Sequence, residues 1–265
     1  MKFFSTLIVL AVASTSLAYT SKKRMLLWDY TNTNNCPWAM KNVWFGGPMS
    51  SVSNWNAWYP PELAGRAPFR PMIHLLPQLS GSDWNSIQNS DQPIIMYFNE
   101  PERAGISPEQ AASLWHSQVL SLRTSKGKKL VSPSCASDDA GMAWIDKFMS
   151  LVSDSRPDYL GLHYYGSDGN AAIQYIQMMR AKYNLPIIVS EIASTASDHA
   201  NVLGFTAQLA NWMDNTDYIF EYGFFGCMEV LPDTTVNPAA QLMNHDGSFT
   251  DLMYKLEYDQ PIAYS

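Results

Sequence analysis

The sequence predicts an α/β protein folded as a single (β/α)8 TIM barrel. Three observations carry this prediction: strand-like and helix-like segments alternate along the chain, eight strand candidates are present, and the 265 residues suit one barrel of roughly 250 residues. The alternative is a doubly wound open sheet, which usually has a glycine-rich phosphate loop after its first strand. The segment Trp28-Asp29-Tyr30-Thr31-Asn32 occupies that place and is not such a loop, so the barrel is favoured.

Each strand candidate is a short apolar run, rich in β-branched or aromatic residues and bounded by turn-forming residues. The candidates are residues 25–29, 42–46, 71–75, 94–99, 129–133, 159–164, 187–191 and 222–227. Helices are predicted at 107–122, 141–152, 170–183, 199–213 and 248–258, with a shorter one from Ser82. Ser107 followed by Pro108 is typical of a helix start, because proline is favoured in the first turn. No repeat or linker interrupts the pattern, so we expect one domain.

The first 18 residues have the pattern of a secretory signal peptide. Lys2 precedes an apolar stretch over 7–13, and Ser16-Leu17-Ala18 offers a small-residue cleavage site. The apolar stretch is too short to span a membrane, and no later segment is long enough. We therefore expect a secreted protein, extracellular or associated with a cell wall, whose folded domain spans residues 19–265. A buried N-terminal helix is the alternative interpretation.

Charge and composition exclude several classes of partner. The formal net charge of -7 argues against nucleic acid or an anionic membrane as a partner. The chain contains nine Trp, fourteen Tyr and eleven Phe, and sugar-binding clefts use such residues as stacking surfaces, although ordinary packing explains most aromatics. The cysteines and histidines show no metal-ligand spacing, so we expect no metal and no cofactor. We also expect a monomer.

The three cysteines allow at most one disulfide. Cys36 should follow the first strand and Cys227 should end the eighth, and these strands are neighbours in a closed barrel. We therefore predict a Cys36–Cys227 disulfide, with Cys135 free.

Two of the predicted strands end in glutamate, at Glu100 after the fourth strand and at Glu191 in the seventh. Active sites of barrels lie at the C-terminal ends of the strands, so the two carboxyl groups should face each other across the mouth. Hydrolysis of a glycosidic bond needs such a pair. We expect one of the two carboxyls to be neutral, because like charges at close range raise the pKa of one of them. The alternative is that each glutamate is a salt-bridge partner at a strand end.

Other strand-end residues are candidates for binding a polar substrate. On the sixth strand, alternation directs His163 and Tyr165 into the mouth and the leucines towards the helices. Trp28 ends the first strand, Trp44 lies near the second, and Phe225 lies at the end of the eighth. A core histidine and a structural tyrosine are the alternative readings of the sixth strand, and the aromatic residues could equally be packing.

The Asn99-Glu100-Pro101 motif and Glu191 together resemble clan A of the retaining glycoside hydrolases. This resemblance implies that Glu100 is the acid/base, that Glu191 is the nucleophile and that Asn99 binds the sugar 2-hydroxyl. Within the clan, the chain is similar to glycoside hydrolase family 128, the alkali-sensitive-linkage-protein-like β-1,3-glucanases. The similarity rests on residues 23–28, 98–102, 158–166, 186–191 and 244–252.

The family resemblance implies a secreted, often fungal and metal-independent enzyme that cleaves β-1,3-glucan with retention, and we expect endo action. One departure concerns the eighth strand, where clan A enzymes commonly have a tryptophan under the sugar and this chain has Phe225. Two alternatives remain open. Another clan A specificity, for β-1,4-glucan or mannan, would share every catalytic residue, and a non-catalytic β-glucan-binding protein would share the barrel.

Overall fold

The computed structural model describes residues 21–232 and 236–263. Eight short strands follow one another along this part of the chain, and most of their residues are buried. They are β1 Arg24–Leu27, β2 Met49–Ser53, β3 Met72–Ile73, β4 Ile94–Tyr97, β5 Lys129–Leu130, β6 Leu160–Gly166, β7 Ile187–Ser194 and β8 Ile219–Phe224.

The strands form a closed ring in which all neighbours are parallel. Five of them pair in the order β2-β1-β8-β7-β6, and the other three pair in the order β3-β4-β5. Single bridges join the two groups, between Val52 and Phe69 on one side and between Val131 and Tyr159 on the other. The ring therefore runs through all eight strands in chain order, and the predicted (β/α)8 barrel is confirmed.

Helices surround the barrel and return the chain from the end of one strand to the start of the next. They are α1 Asn32–Asn35, α2 Gly81–Asn89, α3 Pro108–Leu114, α4 Leu120–Lys126, α5 Asp139–Leu151, α6 Gly169–Tyr183, α7 His199–Asp214 and α8 Asp251–Glu257, with a π-helical turn at Trp115–Val119 between α3 and α4. Helix α3 begins as predicted: Ser107 is the N-cap, its hydroxyl accepts a hydrogen bond from Gln110 N, and Pro108 occupies the first turn.

Side chains alternate between the barrel interior and the layer beneath the helices. Met25 and Leu27 of β1 belong to a small inner cluster with Met72, Met96 and Ile188, whereas Leu26 packs in the large outer core. A period of two is what strand geometry requires. Inner residues fill the lower barrel, so only the open upper end, where the strands finish, remains for a site.

The predicted second strand is wrong. Residues 42–46 are not a strand; a 3-10 helix at Pro37–Asn42 precedes them, and β2 is Met49–Ser53. This strand is rich in serine, and Ser51 and Ser53 are buried. The serines leave no apolar alternation in the sequence of this strand. The more apolar segment at 42–46 therefore looks more like a strand than β2 itself.

The predicted Cys36–Cys227 disulfide is also wrong: all three cysteines are free thiols. The Cys36 Sγ atom lies 3.6 Å from Met243 Sδ, and its side chain packs against Gly247. Although the first and eighth strands are neighbours, the turn after β1 directs Cys36 towards the loop before α8.

The predicted signal peptide at residues 1–18 lies outside the described residues. Within the described ranges, no helix is long and apolar enough to cross a membrane.

Candidate active site

Glu100 lies in a strained turn at the end of β4. Phe98 and Glu100 have φ values of 24° and 40°, in the left-handed region that residues with a Cβ rarely adopt. Neighbouring strand ends hold the turn, because Asn99 N donates to His74 O at 3.0 Å and Glu100 N donates to Ser134 O at 2.8 Å. These bonds direct the Glu100 side chain into the mouth of the barrel.

Both carboxylate oxygens of Glu100 face groups that can carry positive charge. His163 Nδ1 lies 3.0 Å from Oε1, and Arg103 Nε lies 3.2 Å from Oε2. Asp138 holds the guanidinium through a second contact of 3.0 Å. Burial raises the pKa of Glu100, but the hydrogen bond from His163 and the charges of His163 and Arg103 outweigh burial and lower the pKa. These contacts favour the ionised form of Glu100, whereas we expected one of the two carboxyls to be kept neutral by a raised pKa.

Glu191 is buried in β7, and a separate donor satisfies each of its oxygens. Trp55 Nε1 donates to Oε1 at 2.6 Å, and the Tyr165 hydroxyl donates to Oε2 at 2.6 Å. Hydrogen bonds of this length to a charged oxygen are among the stronger ones in proteins. They hold the carboxylate in one orientation, with its edge towards the cleft.

His163 is fully buried between the two glutamates. While its Nδ1 contacts Glu100, its Nε2 lies 3.5 Å from Glu191 Oε1. Burial lowers the pKa of His163, but the charge of Glu191 and the hydrogen bond and charge of Glu100 raise it more, so the net direction is upward. The alternation predicted for the sixth strand holds, because His163 and Tyr165 both reach the site.

The two carboxylates approach closely. One oxygen of Glu100, one of Glu191 and a ring nitrogen of His163 all lie within 4.8 Å of one another. Such a spacing fits the short carboxyl separation of glycosidases that use one carboxylate as nucleophile, about 5 to 5.5 Å, better than the longer separation of about 6.5 to 9.5 Å in inverting enzymes.

The same three side chains do not make a good metal site. Trp55, Tyr165 and His163 already contact the carboxylate oxygens that face one another, and Arg103 places a fixed positive charge beside Glu100. A cation there would meet one like charge and displace three donors, so we assign no metal to the cluster.

An open cleft of two lobes surrounds the glutamates. The larger lobe has a volume of about 590 Å³ and the smaller a volume of about 460 Å³. Glu191, Phe225 and Pro232 border both lobes. The larger lobe is further lined by Trp55, Asn56, His74, Asn99, Tyr30 and Met228, and the smaller by Glu100, Arg103, Ser137, Asp138 and Tyr165. A cavity of about 1100 Å³ lies elsewhere, beside Trp58 and Tyr59, and does not include either glutamate.

Asn99 lines the larger lobe next to the reacting pair. Its Oδ1 atom is buried and has no hydrogen-bond partner among the described residues. A buried acceptor without a partner costs free energy in the empty protein, and a ligand hydroxyl in this lobe is the kind of donor it lacks.

Of the three aromatic residues predicted outside the sixth strand, Trp28, Trp44 and Phe225, the structure brings only Phe225 to the glutamates. Its ring meets those of Trp55 and Tyr165 edge-on, at centroid distances of 5.9 and 6.0 Å. Trp28 is fully buried, and its Nε1 donates to Glu62. Trp44 lies before β2, at the opposite end of the barrel, where it stacks on Tyr258 at 5.3 Å. Neither tryptophan lines the cleft, so their prediction as substrate-binding residues is not supported.

Three residues of the site had no specific contact predicted for them: Trp55, His74 and Arg103. Trp55 follows β2 by two residues, and its place near an early strand suggests no more than a position in an outer subsite. Its φ of 60° turns the indole towards Glu191. His74 follows β3, and its Nδ1 lies 3.1 Å from Trp55 O. Arg103 had no signal, because a loop arginine is ordinary in any sequence.

Comparisons with known proteins show which family the chain is similar to. The family model described as glycosyl hydrolase catalytic core matches residues 26–255. A family 128 (subgroup VI) exo-β-1,3-glucanase from Aureobasidium namibiae is 57% identical, with a TM-score of 0.90 over 92% of this chain and 99% of that one. A family 128 (subgroup V) exo-β-1,3-glucanase from Cryptococcus neoformans is 25% identical, with a TM-score of 0.73 over 89% of this chain and 98% of that one.

A curated relative is longer than this chain. Alkali-sensitive linkage protein 1 of Schizosaccharomyces pombe is 31% identical over 133 residues, which are 47% of this chain and 25% of that protein. The matched region is therefore about a quarter of that relative's length.

Proposed function

Because the chain belongs to glycoside hydrolase family 128, we propose that it is a β-1,3-glucanase that retains the configuration of the anomeric carbon. The observation that carries the proposal is the close pair of Glu100 and Glu191 at the mouth of the barrel. The substrate class is supported by the 57% identical relative, whose name states exo-β-1,3-glucanase activity.

The contacts of the pair support the roles that the clan resemblance implies. Glu191 has both oxygens held by neutral donors, so it is a fixed carboxylate suited to attack the anomeric carbon. Glu100 exchanges a proton with its surroundings: it protonates the glycosidic oxygen as the bond breaks, and later takes a proton from the water that hydrolyses the glycosyl-enzyme ester.

The residues that line each lobe indicate which part of the substrate binds in it. Asn99, with its unpartnered oxygen, borders the larger lobe only, and the clan resemblance gives it the 2-hydroxyl of the sugar that is attacked. Glu100 and Arg103 border the smaller lobe only. We therefore place the sugar that bonds to Glu191 in the larger lobe and the leaving group in the smaller lobe.

The mode of cleavage is a separate question. Family resemblance led us to expect endo action, but the relatives at 57% and 25% identity are both named as exo-acting. We therefore propose exo action for this chain. Exo cleavage releases one small sugar from the first minutes, whereas endo cleavage produces long oligosaccharides first.

Secretion remains a proposal that rests on the first 18 residues. If it is correct, protein recovered from the culture medium of a eukaryotic host will begin at Tyr19, which N-terminal sequencing would establish. An intact Met1 on the recovered protein would refute it.

Reducing-end release from laminarin, cellulose and mannan tests the proposed activity, with products followed by size and the first anomer identified by proton NMR. We expect release from laminarin, β-anomers at early times and loss of at least about 10³-fold in Glu191→Ala. Comparable release from cellulose or mannan would indicate another clan A specificity. Binding of laminarin without release would indicate a non-catalytic glucan-binding protein.

A further inference from the structure

His163 has an unusual position for a buried histidine, because both ring nitrogens face carboxylates of opposite function. Nδ1 lies 3.0 Å from Glu100 Oε1 and Nε2 lies 3.5 Å from Glu191 Oε1. The ring is fully buried, and Nε2 has no other hydrogen-bond partner among the described residues. The imidazole is thus enclosed between the acid/base and the nucleophile, without contact with solvent.

The charges around His163 favour a proton on the ring. Glu100 and Glu191 contact it directly, and Glu102, in the loop after β4, adds a third negative charge nearby. His74, at the end of β3, opposes them, and Arg103 stands on the far side of Glu100. Negative groups dominate the near surroundings of the ring, and the pKa of His163 is accordingly raised despite burial.

This arrangement creates a problem for acid catalysis. Protonation of the leaving oxygen requires a proton on Glu100, yet His163 and Arg103 contact both of its oxygens and favour the carboxylate. The nearest group that can release a proton is the His163 ring, whose Nδ1 lies 3.0 Å from Glu100 Oε1. His163, which can hold the proton, and Glu100, which must deliver it, are therefore joined by one hydrogen bond.

We propose that His163 stores the proton that Glu100 delivers to the leaving oxygen, and takes it back when the enzyme is regenerated. This inference rests on the proposed glycosidase function. In the first half-reaction the His163 Nδ1–H bond breaks as the Glu100 O–H bond forms. That proton then passes to the glycosidic oxygen while the C–O bond breaks and Glu191 bonds to the anomeric carbon.

The change in charge on Glu191 determines when His163 releases its proton to Glu100. When Glu191 becomes an ester it loses its negative charge, so His163 loses one of its two anionic neighbours and holds its proton less tightly. In the second half-reaction water adds to the anomeric carbon, its proton passes to Glu100 and on to His163, and Glu191 returns as a carboxylate. The sum of both halves is hydrolysis of one glycosidic bond.

Kinetics can distinguish a His163 that stores a proton from one that only orients Glu100. We suggest His163→Asn, because the amide can still donate a hydrogen bond to Glu100 but cannot hold a labile proton. The first substrate is laminaritriose, whose leaving sugar needs a proton. The comparison substrate is 2,4-dinitrophenyl β-laminaribioside, whose leaving group needs no proton, with glycosylation followed as the burst of dinitrophenolate.

We expect His163→Asn to lower kcat/KM for laminaritriose by at least about 10²-fold, the range of general-acid contributions, while the burst rate constant stays within about threefold. Equal losses on both substrates, or unchanged activity on both, would overturn the proposal. Glu100→Ala is the matched control, because it must show the same selective loss if Glu100 is the acid. If Glu100→Ala does not lose activity selectively on laminaritriose, the proposed function is wrong. If it does, the result for His163→Asn tests only the role of His163.

A direct measurement on the unmutated protein guards against a folding defect in the variant. The 15N shifts of the His163 ring report its protonation state. We expect an imidazolium in the free enzyme at its pH optimum, and a neutral ring once Glu191 is trapped as an ester by 2-deoxy-2-fluoro-β-laminaribiosyl fluoride. A neutral ring in the free enzyme, or an imidazolium in both states, would refute the stored proton.

Discussion

The indole N–H of Trp55 donates a hydrogen bond of 2.6 Å to Glu191 Oε1, whereas the Tyr165 hydroxyl donates to the other oxygen, Oε2. The tryptophan comes from the segment after β2, 136 residues away in the chain. This contact connects the segment after β2 to Glu191. Trp55 also lines the larger lobe of the cleft.

Trp55→Phe removes the donor to Glu191 and keeps most of the ring. A hydrogen bond to a charged group contributes about 1.5 to 3 kcal/mol, so we expect kcat/KM for laminaritriose to fall about 10- to 100-fold. Steady-state kinetics measure the change. Trp58→Phe, in the separate cavity, is the control and should retain activity; equal losses in the two variants would contradict the specific role of Trp55.

Arg103→Gln should move the basic limb of the pH profile to higher pH. Arg103 lowers the pKa of Glu100, so the variant keeps a proton on the acid/base system at higher pH and stays active there. The measurement is kcat/KM against pH. Lys147→Gln removes a positive charge from a remote surface pair with Glu109 and should leave the limb unchanged. A limb that does not move in Arg103→Gln would show that the guanidinium does not influence the acid.

Phe225→Ala and Trp44→Ala should differ although sequence analysis placed both residues at the substrate. Phe225 borders both lobes beside Trp55 and Tyr165, so we expect its loss to raise KM for laminari-oligosaccharides several-fold, since aromatic contacts contribute about 0.5 to 1.5 kcal/mol. Trp44 stacks on Tyr258 away from the cleft, so its loss should leave KM and kcat unchanged. An increase of KM in Trp44→Ala would place substrate at the lower end of the barrel.

Arg24→Met should lower stability without lowering activity. Arg24 begins β1 at the end of the barrel remote from the site, and its guanidinium pairs with the buried Asp214 at 2.6 Å. Removing one partner of a buried pair costs about 3 to 5 kcal/mol, because the other charge stays buried. Lys255→Met, which breaks an exposed pair with Asp251, should cost less than about 1 kcal/mol.

Urea unfolding of both variants, with kcat/KM as a second readout, checks this prediction. Similar free energies of unfolding for Arg24→Met and Lys255→Met would contradict the importance of burial. A loss of kcat/KM in folded Arg24→Met would show that the lower end of the barrel influences the site.

The barrel and the catalytic pair were accessible from the sequence because both depend on local patterns. The apolar runs at 94–97 and 187–189 need burial on both faces, and each is followed within three residues by a glutamate, so the sequence alone could place the two carboxyls near strand ends. His163 and Tyr165 followed from a period of two, which backbone geometry imposes on any strand.

Other features were decided by contacts between distant segments. The serine-rich β2 forms because its neighbours in the ring leave space for small side chains, and Trp55 reaches Glu191 only once β2 is in place. The Cys36 thiol packs on Met243 according to the path of a turn, not the order of the strands. Glu100 is favoured as a carboxylate because Arg103 and His163 meet its two oxygens. The sequence by itself determined the barrel and the two glutamates. Only the tertiary structure decided which aromatic rings line the cleft and which groups contact the two carboxylates, because both depend on distances between residues far apart in the chain.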